Sequence, residues 1–189
     1  IHAWFPGEFG GQAIAEALFG DYNPGGRLAV TFPKSVGQIP FAFPFKPGSD
    51  ESSETSVYGA LYPFGHGLSY TTFQYSDLAI SPSKQGVQGN ISISCTIKNI
   101  GQREGDEVVQ LYLRDEVSSV TTYTQVLRGF ERITLKPEAS HTVHFELTPQ
   151  ELGIWDKQMN FTVEPGMFKV MIGSSSKDIR LKGEFEIAQ

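Results

Sequence analysis

The chain has 189 residues, of which 39% are hydrophobic and 12% aromatic, and its formal net charge is −6. This is enough apolar material for one or two folded domains, and it excludes a wholly disordered chain. An acidic chain without a basic run argues against a nucleic-acid partner, and apolar runs far shorter than roughly 20 residues argue against a membrane span. The 20 glycines and 11 prolines favour a turn-rich, mainly β structure.

The first 33 residues predict a strand, a helix and a second strand. Residues 1–5 have the composition of a buried strand that ends at Pro6. Residues 11–19 predict a helix with an apolar stripe and with Gly20 as its C-terminal cap. Residues 27–32 predict a short strand that ends at Pro33. The stripe consists of Ala13, Ile14, Ala17 and Leu18. Since three elements cannot enclose a core, we expect them to complete a larger α/β sheet.

Residues 40–60 predict a long surface loop. Aromatic residues alternate with prolines at its start, and an acidic, serine-rich run follows. Two interpretations stay open for this loop. In one, Asp50, Glu51 and Tyr58, together with Glu54, line the rim of a substrate site. In the other, the loop is simply solvated.

Residues 61–73 predict a packed hinge between a segment of residues 1–60 and a domain of residues 74–189. The hinge contains two glycines around His66 and several aromatic side chains. A freely flexing linker would be polar and rich in Gly and Ser, so we expect this one to be pinned. His66 is expected to be a hydrogen-bonded turn residue and not a catalyst.

Residues 74–189 predict a β-sandwich of about seven strands, because apolar and polar residues alternate between turn signals. Cys95 falls on an apolar face and is therefore interpreted as a buried hydrophobe. For Trp155 we weigh a sugar-stacking role against a buried anchor, and the pattern favours the anchor, with Thr148 capping the turn before it. The predicted strands are residues 73–80, 91–97, 107–113, 125–135, 142–147, 167–172 and 179–187.

No catalytic or metal-binding constellation stands out. No pair of acidic residues here is recognisable as a catalytic carboxyl dyad. His141 and His144 are three residues apart in a predicted strand, so they point to opposite faces and cannot share a metal ion. The sequence therefore predicts no metal site.

Five ordered blocks in the first 70 residues resemble the C-terminal region of glycoside hydrolase family 3. They are Ala3-Trp-Phe-Pro-Gly7, Gly10-Gly-Gln-Ala-Ile-Ala-Glu-Ala-Leu-Phe-Gly-Asp21, Asn23-Pro-Gly-Gly-Arg-Leu28, Thr31-Phe-Pro33 and Tyr62-Pro-Phe-Gly-His-Gly-Leu-Ser-Tyr70. Later blocks, such as Gly105-Asp-Glu-Val-Val-Gln-Leu-Tyr112 and Val163-Glu-Pro-Gly166, are similar to the fibronectin type III-like module of that family. The resemblance implies a mainly β chain: a fibronectin type III-like (immunoglobulin-like) β-sandwich, preceded by the C-terminal strand-helix-strand piece of an α/β sandwich domain.

The resemblance also implies a function. Members are mostly retaining, exo-acting β-glucosidases that use double displacement without a metal or organic cofactor. Their nucleophilic Asp and acid/base Glu lie upstream of the matched blocks, so we expect no catalytic residue in this chain and no activity from it alone. The expected partners are a β-linked oligosaccharide or glycoside and the upstream barrel and α/β domains, in a periplasmic or secreted protein.

Two alternatives remain. One is a β-xylosidase or another family 3 β-glycosidase. The other is a non-catalytic module that binds carbohydrate or a partner protein.

Overall fold

A two-sheet β-sandwich forms the second part of the molecule in the computed structural model. The structure describes residues 1–49, 51–52 and 57–189, and at residues 51, 52 and 57 it describes the backbone alone. The elements before the sandwich are α1 (Gly10–Phe19), β1 (Phe32–Pro33), a 3-10 helix (Val36–Gln38), β2 (Glu51–Ser52), β3 (Val57–Tyr58) and β4 (Ala60–Tyr62). The elements that follow are β5 (Phe73–Ser81), β6 (Lys84–Gly86), β7 (Ile91–Asn99), β8 (Gly105–Asp115), β9 (Val126–Leu135), β10 (Ser140–Leu147), α2 (Pro149–Leu152), β11 (Ile154–Trp155), β12 (Phe161–Thr162), β13 (Gly166–Gly173) and β14 (Ile179–Ala188).

The core of the sandwich lies between a three-stranded sheet, in the order β10-β7-β5, and a five-stranded sheet, in the order β6-β14-β13-β8-β9. Neighbouring strands are antiparallel, except that β6 and β14 are parallel. Strand β7 shows the expected alternation, since its apolar side chains are fully buried at every second position. These residues are Ile91, Ile93, Cys95 and Ile97. They pack in one cluster with the inward residues of β8, β13 and β14.

The mainly β fold class is confirmed, and each predicted sandwich strand has a counterpart whose ends differ by a few residues at most. Strand β5 is continuous but carries a register shift between Ser76 and Ala79, where Asp77 has a φ of 54°. This bulge explains why the apolar alternation of the first strand is imperfect in the sequence.

The prediction of a strand over residues 1–5 is wrong. None of these residues is in a strand, and Ile1 and Phe5 are 74% and 100% exposed. A strand needs a neighbour to accept its hydrogen bonds. Among the described residues, none pairs with residues 1–5.

The second predicted strand, over residues 27–32, is also wrong except at its end. Only Phe32 and Pro33 pair, with β4. Leu28 instead exchanges backbone hydrogen bonds with two residues of the hinge: its N–H donates to the His66 carbonyl at 2.9 Å, and its carbonyl accepts from the Gly65 N–H at 2.8 Å.

Helix α1 begins one residue earlier than predicted and ends as predicted. Gly20 adopts the left-handed conformation with a φ of 85°, and its N–H donates to the Glu16 carbonyl. The predicted apolar stripe is largely uncovered, because Ala17 is buried whereas Leu18 is 60% exposed. In the part of the chain that the structure describes, no helix is long and apolar enough to cross a lipid bilayer.

Candidate functional site at the joint between the two segments

We use the term joint for the contacts between residues 17–73 and the β-sandwich. It includes a buried ion pair between Arg27, which follows Gly25-Gly26, and Glu107 on strand β8. The Arg27 Nη2 atom lies 3.0 Å from each carboxylate oxygen of Glu107, and the two side chains are only 8% and 4% exposed. The Tyr75 hydroxyl donates to the same carboxylate at 3.1 Å.

The electrostatics of this ion pair follow from its burial. Burial raises the pKa of Glu107, while the charge of Arg27 and the hydrogen bonds from Arg27 and Tyr75 oppose that rise. Burial and the negative charge of Glu107 both raise the pKa of Tyr75, which therefore stays a hydrogen-bond donor. Loss of one member of this group would leave a buried charge without its partner.

A second contact lies on the outer face of strand β8, which the hinge covers. The Gln110 amide donates to the Gly65 carbonyl at 3.2 Å and to the Ser174 carbonyl at 2.6 Å, and it accepts from the Tyr112 hydroxyl. Gly65 has a φ of 81°, and a Cβ atom there would lie 2.1 Å from the Gln110 Oε1 atom. Both its backbone conformation and this close approach therefore require glycine.

Asn23 connects three parts of the chain through one side chain. Its Oδ1 atom accepts from the Ser69 hydroxyl at 3.0 Å and from the Tyr70 N–H at 2.8 Å. Its Nδ2 atom donates to the Glu104 carbonyl at 3.0 Å, at the start of β8. The turn after helix α1, the hinge and the sandwich are therefore held by a single amide.

Tyr70 and Arg103 connect the end of helix α1 to the sandwich. The Tyr70 hydroxyl donates to the Ala17 carbonyl at 2.6 Å, and the Arg103 Nη1 atom donates to the Gly20 carbonyl at 2.8 Å. The Arg103 guanidinium also lies 6.0 Å from the centre of the Tyr70 ring. These bonds satisfy carbonyls that the helix itself leaves free at its end.

The segment that follows the 3-10 helix is fixed to the sandwich at Phe43 and Phe45. The Phe43 ring stacks on Phe64 with centres 4.5 Å apart and meets Tyr112 edge-on at 5.8 Å. The Phe45 carbonyl accepts from both the N–H and the hydroxyl of Thr124, at 3.0 and 3.2 Å. The start of the predicted surface loop is therefore packed and not free.

The predicted rim residues fall in the remainder of that loop. Asp50 and Glu54 lie outside the described residues. Glu51 and Tyr58 face each other across the backbone ladder of β2 and β3. Tyr58 is 54% exposed, and its carbonyl accepts from the Lys34 ammonium at 2.7 Å. Their role at a substrate rim stays a prediction.

The histidines form no recognisable catalytic or metal-binding group in the joint or the sandwich. His66 stacks on Tyr62, with ring centres 5.2 Å apart. His141 and His144 pair with Ile97 and Ser94 along β10. Over the described ranges, no group of three His, Cys, Asp or Glu side chains is arranged to hold a metal ion.

The prediction that Trp155 is a buried anchor is wrong. The residue lies on the short β11–β12 hairpin outside the two main sheets, is 59% exposed and contacts Phe161 edge-on at 5.5 Å. Leu152, at the end of α2, is the buried residue of this region. The predicted cap is confirmed, since the Thr148 hydroxyl accepts from the Gln150 N–H at 3.3 Å.

The pKa values of two carboxylates near the end of β8 are shifted in opposite directions. Burial raises the pKa of Asp115 to about 6, and the charges of Glu164 and Glu116 add to the rise. Hydrogen bonds from Ser119 hold the pKa of Glu164 below its usual range. Asp115 accepts from the Val117 N–H at 3.2 Å and Glu164 from the Ser119 N–H at 2.8 Å, so both carboxylates stabilise the turn after β8. We assign neither a catalytic role.

Sequence reasoning missed the polar residues of the joint. One signal was available: Glu107 falls in phase with the core residues Val109 and Leu111, and an acidic residue at a core position needs a buried partner. No comparable signal exists for Gln110 or Asn23, because their partners are backbone groups that only the fold brings close.

Comparison with known proteins extends these observations. Residues 1–70 match the glycosyl hydrolase family 3 C-terminal domain, and residues 107–176 match the fibronectin type III-like domain. The periplasmic β-glucosidase of Salmonella typhimurium is 43% identical over 99% of this chain, and a β-xylosidase of Formosa agariphila is 42% identical over 96% of it. The chain covers 26% of each of these two proteins, so it spans about a quarter of their length.

Solved structures agree with the sequence relatives. A β-glucosidase from Erythrobacter marinus superposes with a TM-score of 0.92 at 40% identity, covering 98% of this chain and 25% of that one. The β-glucosidase from Listeria innocua in complex with glucose has a TM-score of 0.90 at 32% identity, covering 100% and 28%. The chain therefore belongs to glycoside hydrolase family 3, as the region in which the C-terminal domain of that family meets its fibronectin type III-like domain.

Proposed function

We propose that the protein to which these residues belong is a retaining, exo-acting β-glucosidase that removes terminal β-D-glucosyl residues from oligosaccharides or glycosides. The observation that carries the proposal is that the two family models match in order along one chain. The relatives of the chain include β-glucosidases. In this proposal the catalytic Asp and Glu lie outside residues 1–189, and the chain alone is inactive. A periplasmic or secreted location is proposed with it, since one relative is a periplasmic enzyme.

The role that we propose for this chain is mechanical. Retention needs two carboxylates held about 5–5.5 Å apart, so the domains that carry them have to be held in fixed positions. A buried ion pair and a set of buried amide hydrogen bonds resist displacement because each has a specific geometry. The joint therefore supports the family 3 C-terminal domain, and the contacts at Phe43 and Phe45 fix the start of the segment that carries Asp50, Glu51 and Tyr58.

The exposed apolar side chains of residues 1–70 supply the contact surface for the upstream barrel and α/β domains in this proposal. Trp4, Phe5, Phe9, Leu18 and Phe19 are each at least 60% exposed. Uncovered apolar side chains of this size, grouped in one segment, are typical of an interface.

An assay on 4-nitrophenyl β-D-glucopyranoside tests the proposal. The 189-residue chain and the longer protein are measured in parallel, and only the longer protein is expected to turn over. Turnover by the chain alone would contradict the proposed position of the catalytic pair.

A second candidate is a β-xylosidase, which the Formosa agariphila relative favours at nearly the same identity. The ratio of kcat/KM on the β-glucoside to that on 4-nitrophenyl β-D-xylopyranoside, measured for the longer protein, separates the two. A ratio above one supports the β-glucosidase, and a ratio below one supports the β-xylosidase.

A further inference from the structure

A cavity of about 270 Å³ opens at the end of strand β8, beside the β11–β12 hairpin. We call it the Trp155 cavity, and the side chains that matter for a ligand are Asp115, Tyr123, Arg128, Glu151 and Trp155. Its volume lies just below the roughly 300–1,000 Å³ of typical ligand pockets, so it suits a ligand of about one sugar ring.

The aromatic side chains of this cavity are available to a ligand. Trp155 and Tyr123 are 59% and 44% exposed, although both line a concavity. The Phe161 ring packs against the indole, with the two ring centres 5.5 Å apart. A pyranose presents a face of C–H groups between polar edges, and a partly exposed indole matches it because it combines an apolar face with a polar N–H.

The polar side chains of the cavity have unused hydrogen-bonding capacity. The Arg128 guanidinium lines the cavity together with Glu151, whose negative charge opposes the lowering of the Arg128 pKa by burial. Among the described residues it makes no hydrogen bond, so its donors remain available to a ligand. Asp115 is half-buried and accepts one backbone hydrogen bond, and Glu151 engages Thr148 through Oε2. Donors and carboxylate acceptors close together are what the neighbouring hydroxyls of a sugar require.

The charges of the cavity disfavour an anionic ligand. One guanidinium and two carboxylates give the Trp155 cavity no positive excess for an anion. Trp155 also borders a larger groove of about 720 Å³. Its polar side chains include Gln88, Gln150 and Thr162, and none of the described residues that line it is charged. The indole therefore stands between two concavities, and a saccharide chain could pass from one to the other.

We propose that the Trp155 cavity is an auxiliary binding site for one pyranose of a neutral, β-linked saccharide, with the rest of the saccharide in the adjoining groove. The site follows from the residues above, whereas the choice of β-linked glucans as ligands rests on the proposed function. The site lies close to the joint, because Tyr123 lines it and the next residue, Thr124, binds the Phe45 carbonyl. It therefore adds a saccharide contact near the start of the loop of residues 40–60, which the contacts at Phe43 and Phe45 hold in place.

Affinity electrophoresis of the 189-residue chain through gels with and without soluble mixed-linkage β-glucan tests the site. The wild-type chain is expected to be retarded by the glucan, and Trp155→Ala is expected to weaken the apparent affinity about tenfold. Phe130→Ala is the matched control, because Phe130 is 68% exposed on β9 but does not line the cavity. Its retardation should equal that of the wild type.

Fluorescence gives a second readout that does not depend on a destabilising variant. The chain has two tryptophans, so Trp4→Phe leaves Trp155 as the only one. Titration with cellohexaose should shift the emission of this variant, and Arg128→Ala in the same background should weaken the response several-fold. No shift, or no retardation of the wild-type chain, would overturn the site, as would equal retardation of a folded Trp155→Ala variant.

These outcomes separate the site from the proposed function. Retardation by β-glucan together with a longer protein that fails to cleave β-glucosides would leave the site standing and overturn the proposed function. Cleavage without retardation would do the reverse.

Discussion

Phe168 and Phe5 have the same side chain in opposite surroundings, 1% exposed within the sandwich and 100% exposed ahead of helix α1. The difference extends to the segments around them. The sandwich has a contiguous core that both of its sheets build, whereas Ala17 is the only buried apolar residue among the described side chains of residues 1–70. The comparison teaches that the sandwich is stabilised by its own packing, while the preceding segment is held by polar contacts and by the packing of Phe43 on the hinge and the sandwich.

The largest expected effect tests this difference directly. Phe168→Ala removes a ring that stacks on Phe185 at 5.4 Å, and it should lower the free energy of unfolding by about 3–5 kcal/mol. Phe5→Ala should change it by less than about 0.5 kcal/mol, because the ring is already in water. Urea unfolding of the 189-residue chain measures both, and equal losses would contradict the comparison.

The second prediction concerns the joint. Glu107→Gln leaves the buried Arg27 charge without a counter-ion and should cost about 3 kcal/mol. Glu186→Gln is the control, since its pair with Lys84 is exposed on both sides and should contribute less than about 1 kcal/mol. Chemical denaturation of the two variants gives the comparison. A loss at Glu107 no larger than that at Glu186 would show that the buried pair does not hold the joint.

A third, smaller effect concerns the coupling between the domains. Phe64→Ala combined with Tyr70→Ala removes the stack on Phe43 and the bond to the Ala17 carbonyl. In the longer protein we expect calorimetry to show separate melting transitions for the sandwich and for the preceding domains, in place of one shared transition.

Leu68→Ala is the control for that double variant, because Leu68 lies in the same segment and is 76% exposed. It should leave the melting profile unchanged. A single, unshifted transition in the double variant would mean that the segment is only a connector.

The smallest expected effect is a pH dependence at Asp115. Burial raises the pKa of this carboxyl from 3.8 to about 6, so its contribution to stability is present below about pH 4 and is lost as the pH rises through 6. Asp115→Asn should therefore stabilise the chain by ~1 kcal/mol near pH 8, after allowance for partial exposure, and by almost nothing near pH 4. Thermal melts at the two pH values measure the difference.

Asp156→Asn provides the opposite control. Hydrogen bonds from Asn160 hold the pKa of Asp156 below its usual range. Removal of the Asp156 carboxylate should therefore bring no gain in stability near pH 8. A gain of equal size in both variants would exclude burial as the cause at Asp115.

The sandwich could be predicted from the sequence because its signal is local. The alternation from Ile91 to Ile97 specifies a half-buried strand whatever its neighbours are. Residues 1–5 have equally apolar composition, yet a strand there depends on a pairing partner, which composition cannot supply. The prediction for Trp155 is wrong for a related reason. The hydrophobicity of a residue does not indicate which side of a hairpin with two-residue strands it occupies.

The joint could be predicted only in position. The glycines around His66 locate it, but its contacts are mostly hydrogen bonds between side chains and backbone groups more than 40 residues apart, such as those of Gln110 with Gly65 and Asn23 with Tyr70. Such pairs leave no periodic trace in the sequence. The apolar content of the hinge predicts aromatic packing, which the structure shows at Phe64, whereas the buried guanidinium and amide contacts with the sandwich leave no such signal.

The close approach at Gly65 sets a condition for exchanging this sandwich with that of a relative. A Cβ atom at residue 65 would meet the Gln110 side chain, so the hinge and the middle of strand β8 form one matched unit. Because the Gln110 amide also donates to the Gly65 carbonyl, a chimera cut after residue 73 has to bring an amide at the place of Gln110 to keep that bond. A cut made before residue 62 would transfer both halves of the contact together.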